Sequence, residues 1–198
     1  MKNILIIPVR GGSKRLPQKN IRKLNGLPLF VHSILYAKAN SSVIDEIVVS
    51  TDDEAIKNIA IENSIKVIDR PKNLSNDQAT TVSALKHVLE SVSETYENVI
   101  LLQATNPLRP KNLLHNAYKK YIAGNYDSLM TVSRNDHKLG KIVEEKFVPF
   151  NYTIGQRSQD LEPLFYENGL LYITKASLIL KEKIVGHKNF PFIVDHPY

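Results

Sequence analysis

Short apolar runs alternate along this chain with stretches whose apolar residues recur at helical spacing. Residues 4–9, Ile4-Leu5-Ile6-Ile7-Pro8-Val9, form a continuous apolar run and read as a buried strand. Pro28 predicts a helix start, and the helix runs to about residue 39 with Leu29, Ile34, Leu35 and Ala37 on its inner face. Residues 46–50 read as a second strand. After them Thr51-Asp52-Asp53 reads as the cap of a helix carrying Ala55, Ile56, Ile59 and Ala60. Residues 65–68 are a short third strand. The clearest helix is 80–93, with Val82, Leu85, Leu89 and Val92 on one stripe. Residues 99–102 are another buried strand, and Pro110 opens a helix with Leu113, Leu114, Ala117 and Tyr121 that stops at Gly124-Asn125. Strand character returns at 128–132, 170–173 and 190–194, while residues 134–168 mix polar and aromatic side chains with no readable period.

This alternation predicts an α/β fold, a mainly parallel sheet between helical layers, in one domain over 1–198. No repeat, low-complexity tract or linker interrupts it. Cysteine is absent, which excludes disulfides, thiolate metal sites and a cysteine nucleophile. The first residues read as a strand and not as a signal peptide, and no apolar stretch approaches membrane-spanning length. The expected setting is the cytoplasm, with no membrane partner.

Charge changes the picture more than composition does. The chain has 26 Lys and Arg against 20 Asp and Glu, a net charge of +6, yet every acidic residue lies at or beyond Asp45. Eight basic residues precede Asp45, so the remainder carries 18 basic against 20 acidic residues. Most of the early charge falls in Arg10-Gly11-Gly12-Ser13-Lys14-Arg15-Leu16-Pro17-Gln18-Lys19-Asn20, directly after the first strand. Cations that cluster with glycines and a proline in one loop argue against nucleic acid as the main ligand, which would call for a basic helix face or stacking aromatics.

A glycine-rich basic loop leaving a buried strand suits a polyphosphate. Gly11 and Gly12 would let backbone N–H groups approach an anion and Ser13 adds a hydroxyl. Arg10 would grip phosphate oxygens in bidentate fashion, and Lys19 would add a point charge. The spacing matches neither the P-loop nor the dinucleotide fingerprint. The plain alternative is a glycine turn with solvated cations, which is how Lys14 and Arg15 read individually. Further polar clusters follow other predicted strands: Ser50-Thr51-Asp52, Asp69-Arg70-Pro71 and residues 103–109. In open parallel sheets, ligands collect at this edge.

Residues 7–21, Ile7-Pro8-Val9-Arg10-Gly11-Gly12-Ser13-Lys14-Arg15-Leu16-Pro17-Gln18-Lys19-Asn20-Ile21, resemble the opening signature of the acylneuraminate cytidylyltransferases. Val48-Val49-Ser50-Thr51-Asp52, Arg70-Pro71, Asn76-Asp77 with Thr80-Thr81, and Leu101-Leu102-Gln103-Ala104-Thr105-Asn106-Pro107-Leu108-Arg109 follow in the family's order. Gln159-Asp160-Leu161 and Asn168-Gly169-Leu170-Leu171-Tyr172-Ile173 are similar to its late motifs, so the resemblance spans essentially the whole chain.

The resemblance implies a three-layer, Rossmann-like nucleotidyltransferase fold and transfer of CMP from CTP to a sialic-acid-like nine-carbon 2-keto acid sugar, with pyrophosphate released. Kdo, legionaminate and pseudaminate are alternative acceptors. Carried over by position, Arg10 and Lys19 would be catalytic. Val9, Gly11, Gly12, Ser13, Asn20, Arg70, Thr81 and Gln103 would join them around the nucleotide. Gln103 and Tyr172 would face the sugar, and Lys141 and Arg157 would meet its carboxylate. Asp52 reads equally well as a helix cap; for Arg70 a loop anchor and for Tyr172 a core position are the plainer alternatives, ranked below the functional reading. The family resemblance further implies a homodimer, with residues near 134–168 reaching across to the partner's site. It also implies magnesium, held by an Asp-x-Asp motif just after the last strand. These 198 residues finish at Asp195-His196-Pro197-Tyr198, and Asp195 precedes the expected position. The metal's protein ligands are therefore expected to be missing here, which leaves a nucleotide-binding protein without turnover as a further alternative.

Overall fold

In the computed structural model, which describes residues 1–13 and 16–194, the predicted alternation becomes a seven-stranded sheet covered on both faces. In chain order the strands are β1 (Asn3–Pro8), β2 (Lys23–Leu24), β3 (Leu27–Pro28), β4 (Glu46–Thr51), β5 (Lys66–Asp69), β6 (Asn98–Leu101), β7 (Ser128–Asn135), β8 (Gly140–Val143), β9 (Lys146–Pro149), β10 (Leu164–Lys175) and β11 (Asn189–Ile193). The helices are α1 (Val31–Ala39), α2 (Glu54–Glu62), α3 (Thr81–Ser91), α4 (Leu113–Ala123) and α5 (Ala176–Ile179). The sheet order is β11-β7-β10-β6-β1-β4-β5, and β10 alone runs against its neighbours.

The first apolar run has no polar alternation because both of its faces are buried. Leu5, Ile7 and Val9 join the core beneath α1, α2 and α4, together with Ile34, Ile56 and Leu114. Ile4 and Ile6 join the opposite core, with Leu85 and Val88 of α3 and Ile179 of α5. At about 1.5–3 kcal/mol for each large apolar side chain removed from water, β1 is the strip on which both layers depend.

Three local expectations change. The helix expected from Pro28 starts at Val31, because Pro28 pairs with Lys23 in the small β2–β3 hairpin. Asn25 and Gly26 form its two-residue turn, with φ of 50° and 81°, the left-handed values such a turn demands. The helix expected from Pro110 begins at Leu113. The unreadable stretch 134–168 holds the end of β7, a β8–β9 ribbon exposed along nearly its whole length, and the first half of β10. An element that buries neither face leaves no burial period in the sequence, which is why no pattern was legible there.

Candidate active site

The polar clusters predicted after β1, β4, β5 and β6 converge on the edge where the parallel strands end. The loop leaving β1 is anchored at both ends: the Val9 amide donates to Ser50 O at 2.9 Å, and Asn20 Nδ2 donates to Arg10 O at 2.9 Å. Gly11 lies against α2. Its amide donates to Asp52 Oδ1 at 3.1 Å, and a Cβ on it would sit 2.4 Å from Asp53 Oδ2. Glycine is required at this point by the close approach of the loop to the helix start. The cap of α2 is Asp53, whose Oδ1 accepts from the Ile56 amide at 3.0 Å. Asp52, one residue earlier, does not cap, and its carboxylate serves the loop.

Across from this loop, residues 70–80 form the second wall. The Arg70 amide donates to Thr51 O at 2.7 Å, and Asn76 Oδ1 accepts from the amides of Gln78 and Ala79, both at 2.9 Å. Arg10 Nη1 bridges the two walls, donating to Asn76 O at 3.0 Å and standing 3.2 Å from Asp77 Oδ1. Between the walls lies a cavity of about 330 Å³. Arg10, Gly12, Ser13, Lys19 and Asn20 line it from the first loop, Arg70 from the second, Thr81 from the start of α3, and Gln103 from the loop after β6.

The cavity is built for negative charge. Among the described residues, three of its lining side chains are cations, Arg10, Lys19 and Arg70, and Asp77 is the one carboxylate lining it. Lys19 has no partner for its ammonium among the described residues. Arg70 is only 8% exposed, and its Nε and Nη2 lack hydrogen-bond partners among the described residues; Asp52 Oδ1 stands 3.9 Å from Nη2. Burial pulls the Arg70 pKa down and neighbouring Arg10 adds to this, while Asp52 pulls the other way. The first turn of α3 points at the same space. Thr80 Oγ1 accepts from the Ser83 amide, no acidic residue lies in that turn, and the positive end of the helix dipole meets the cavity.

Other expected residues fall elsewhere. Val9 is a core residue, and neither it nor Gly11 lines the cavity. Tyr172 is 6% exposed in the α3-side core, with its hydroxyl on Glu167 Oε2 at 3.0 Å; burial first, then Glu167, raises its pKa. Lys141 Nζ sits over the Phe150 ring, and Arg157 holds Asp160 through Nε at 2.8 Å, so both are engaged within 134–168 and away from the cavity. Lys14, Arg15 and Asp195 lie outside the described residues. Among the described residues, no three His, Cys, Asp or Glu side chains gather as a metal-binding group, and Asp52 and Asp77 each face an arginine. No helix among the described residues is long and apolar enough to cross a membrane.

Comparison with known proteins agrees with this geometry. Among solved structures, the CMP:2-keto-3-deoxy-manno-octonic acid synthetase complexed with CTP matches with a TM-score of 0.70 at 19% identity, over 92% of this chain and 77% of that one. A 4-diphosphocytidyl-2C-methyl-D-erythritol synthase from Anaerococcus prevotii matches with a TM-score of 0.64 at 13% identity, over 91% and 74%. These likenesses show the fold, a Rossmann-like α/β sheet between two helical layers. Sequence takes the assignment further. The cytidylyltransferase family matches residues 4–191. A pseudaminic acid cytidylyltransferase of Campylobacter jejuni is 36% identical over 194 residues, 93% of this chain and 83% of that protein. An N-acylneuraminate cytidylyltransferase of Streptococcus agalactiae is 36% identical over 190 residues, 92% of this chain but 46% of that longer relative. The chain belongs to the cytidylyltransferase family, whose members are nucleotidyltransferases.

Proposed function

We propose that this protein transfers CMP from CTP to the anomeric hydroxyl of a sialic-acid-like nine-carbon 2-keto acid sugar. The observation that carries the reading is the buried guanidinium of Arg70, with two donor nitrogens unmet, beside Arg10 and Lys19 at the start of α3. Such a site is completed by an anion with many acceptor oxygens. In the reaction, the anomeric oxygen attacks the α-phosphorus, the bond between that phosphorus and its bridging oxygen to the β-phosphorus breaks, and pyrophosphate leaves with that oxygen. The hydroxyl proton passes to solvent. Arg10 and Lys19 neutralise charge as it develops on the transferring and leaving groups, and Gln103 stands where nucleotide and acceptor meet.

The names of the relatives support an acidic sugar as acceptor, and their variety leaves open which substituents it carries. Pyrophosphate release with CTP, magnesium in the buffer and a panel of N-acetylneuraminate, pseudaminate, legionaminate and Kdo tests the assignment. Turnover with one nine-carbon acid is the expected result. Calorimetric preference for ATP or GTP over CTP would overturn it, and CTP binding without pyrophosphate release would leave a nucleotide-binding protein.

Residues 134–168 support a homodimer as the working assembly. Ile142 is 71% exposed and Ile154 76% exposed, with Phe147 and Phe150 beside them on or after the ribbon. A second copy covering these side chains would carry Lys141 and Arg157 towards the partner's cavity. Sedimentation equilibrium at micromolar concentration, expected to give twice the chain mass of 22.4 kDa, tests this.

A further inference from the structure

Arg109 is a cation in an unusual place. It is 8% exposed, yet among the described residues its partners are all neutral. Its Nε donates to Leu170 O at 2.7 Å, Nη1 to Ser33 Oγ at 3.0 Å and Nη2 to Gln103 O at 2.7 Å, with the Tyr36 ring 5.7 Å away. Burial pulls its pKa down to about 10, which still leaves it charged at neutral pH. A buried cation without a counter-ion is costly, and a leucine or methionine would fill the same volume without that cost. What the guanidinium supplies is a rigid fork that ties together three segments: α1, the loop after β6, and β10.

The β10 end of this tie is itself specialised. The β7–β10 register breaks between Glu167 and Tyr172, and Gly169 there has φ of 70°. Asn168 is used up in fixing the break: its Oδ1 accepts from Thr131 Oγ1 at 2.6 Å, and its Nδ2 donates to Ser133 Oγ at 2.9 Å. Gly169 O accepts from Asn106 Nδ2 at 2.7 Å. A Cβ on Gly169 would sit 2.8 Å from Gln103 Oε1 and 3.0 Å from Asn106 Nδ2. Gln103 is therefore gripped through its carbonyl by Arg109 while its side-chain amide lies directly against the bulge.

We propose that Arg109 and the Gly169 bulge are positioning elements that set the Gln103 amide at the boundary between nucleotide and acceptor. This rests on the functional reading of Gln103 given above. Misplacing a reacting partner by about 1 Å can cost on the order of a hundredfold in rate, so a tie of this kind matters more to turnover than to nucleotide affinity.

The test uses Arg109→Lys, which keeps the charge but loses the fork, and Gly169→Ala, which leaves Arg109 unchanged but strains the bulge at φ 70° and presses on Gln103 and Asn106 from the other side. The expected result is a CTP Kd within about threefold of the parent. Acceptor KM should rise and kcat fall, together lowering kcat/KM by roughly a hundredfold. The side-chain NH₂ resonances of Gln103 should shift in both variants, while the Gly12 and Thr81 amides stay in place. A purely structural arginine would lower Tm without moving those resonances. If Arg109→Lys fails to fold, Gly169→Ala alone decides. Gln103 resonances and acceptor kinetics unchanged in a folded variant, or CTP affinity falling in step with turnover, would overturn the proposal. If the parent turns over no acid sugar, the functional reading fails, and the Gln103 resonances still decide the positioning.

Discussion

The two ends of the central sheet hold cavities of nearly equal size and treat their polar groups in opposite ways. At the end where the parallel strands begin, a cavity of about 340 Å³ lies beside Asn98 and Tyr121. The buried polar atoms around these two residues answer one another: Asn98 Nδ2 donates to Asn3 Oδ1 at 2.9 Å, Tyr121 OH donates to Asn98 Oδ1 at 2.8 Å, and Asn3 Nδ2 donates to Val43 O at 3.0 Å. At the end where the strands finish, about 330 Å³ of space is bordered by Arg70 Nε and Nη2 and Asn20 Oδ1, all buried and unpartnered, with the equally unpartnered Ser50 Oγ at the end of β4. Volume does not separate a site from a packing defect here. Unmet hydrogen-bonding capacity does, because a buried donor left alone costs about 1–3 kcal/mol unless something outside the chain completes it. One end is finished by the fold, and the other keeps hydrogen-bonding groups that the described residues leave unmet.

Substitutions at the two ends should therefore differ in kind. The largest effect is expected for Lys19→Ala, a fall in kcat of about 10² to 10³ with Tm essentially unchanged, since the ammonium makes no described contact that the fold would miss. Equal losses of Tm and turnover would erase the distinction. Arg70→Met comes next. CTP affinity measured by calorimetry should weaken by roughly 10- to 100-fold, the equivalent of one or two charge-assisted hydrogen bonds. Stability should change by less than about 1 kcal/mol, because the lost Asp52 contact is offset by removal of a buried cation.

At the opposite end, Asn98→Ala inverts this pattern. It strands Tyr121 OH and Asn3 Oδ1, and should cost about 2–3 kcal/mol, read as a Tm lowered by roughly 5–10 °C with turnover unchanged. The smallest effect belongs to Asp127→Asn. Hydrogen bonds from Lys175 Nζ, at 2.8 Å, and from the Lys188 amide hold the Asp127 carboxyl below the usual carboxylate range. Its contribution is present above the unfolded carboxylate pKa of about 3.9 and is lost as pH falls through the lower folded value. The variant's small Tm deficit at pH 7 should close on acidification below about pH 4, and a deficit independent of pH would rule out the ion pair as its source.

Much of the cationic end was legible because its residues follow strands whose apolar runs cannot be mistaken. Arg10, Lys19, Arg70 and Gln103 each sit just beyond such a run, and the fold brings all four to one cavity. Smaller distinctions were not legible. Gly11 and Gly12 are adjacent and identical in sequence, yet Gly11 packs on Asp53 while Gly12 borders the cavity. Asp52 and Asp53 share the same spelling, and only the direction of the chain leaving β4 makes the second one the cap. The β2–β3 hairpin carries a local signal, Asn25-Gly26, which the reading of Pro28 as a helix start left unused. Arg109 stood in a recognisable motif without any sign of its task, since its three acceptors lie in segments 6 to 76 residues away.

The amino-acid sequence alone determined the layered α/β architecture, the cationic loop after the first strand and the family, because these rest on periodicity and on contiguous motifs. Only the tertiary structure decided which of two like neighbours borders the cavity, which buried polar atoms remain unanswered among the described residues, and that a glycine bulge and a distant arginine close on Gln103. Those outcomes depend on distances between segments remote in sequence, set by how the sheet and its helices pack, and no local run of residues encodes them.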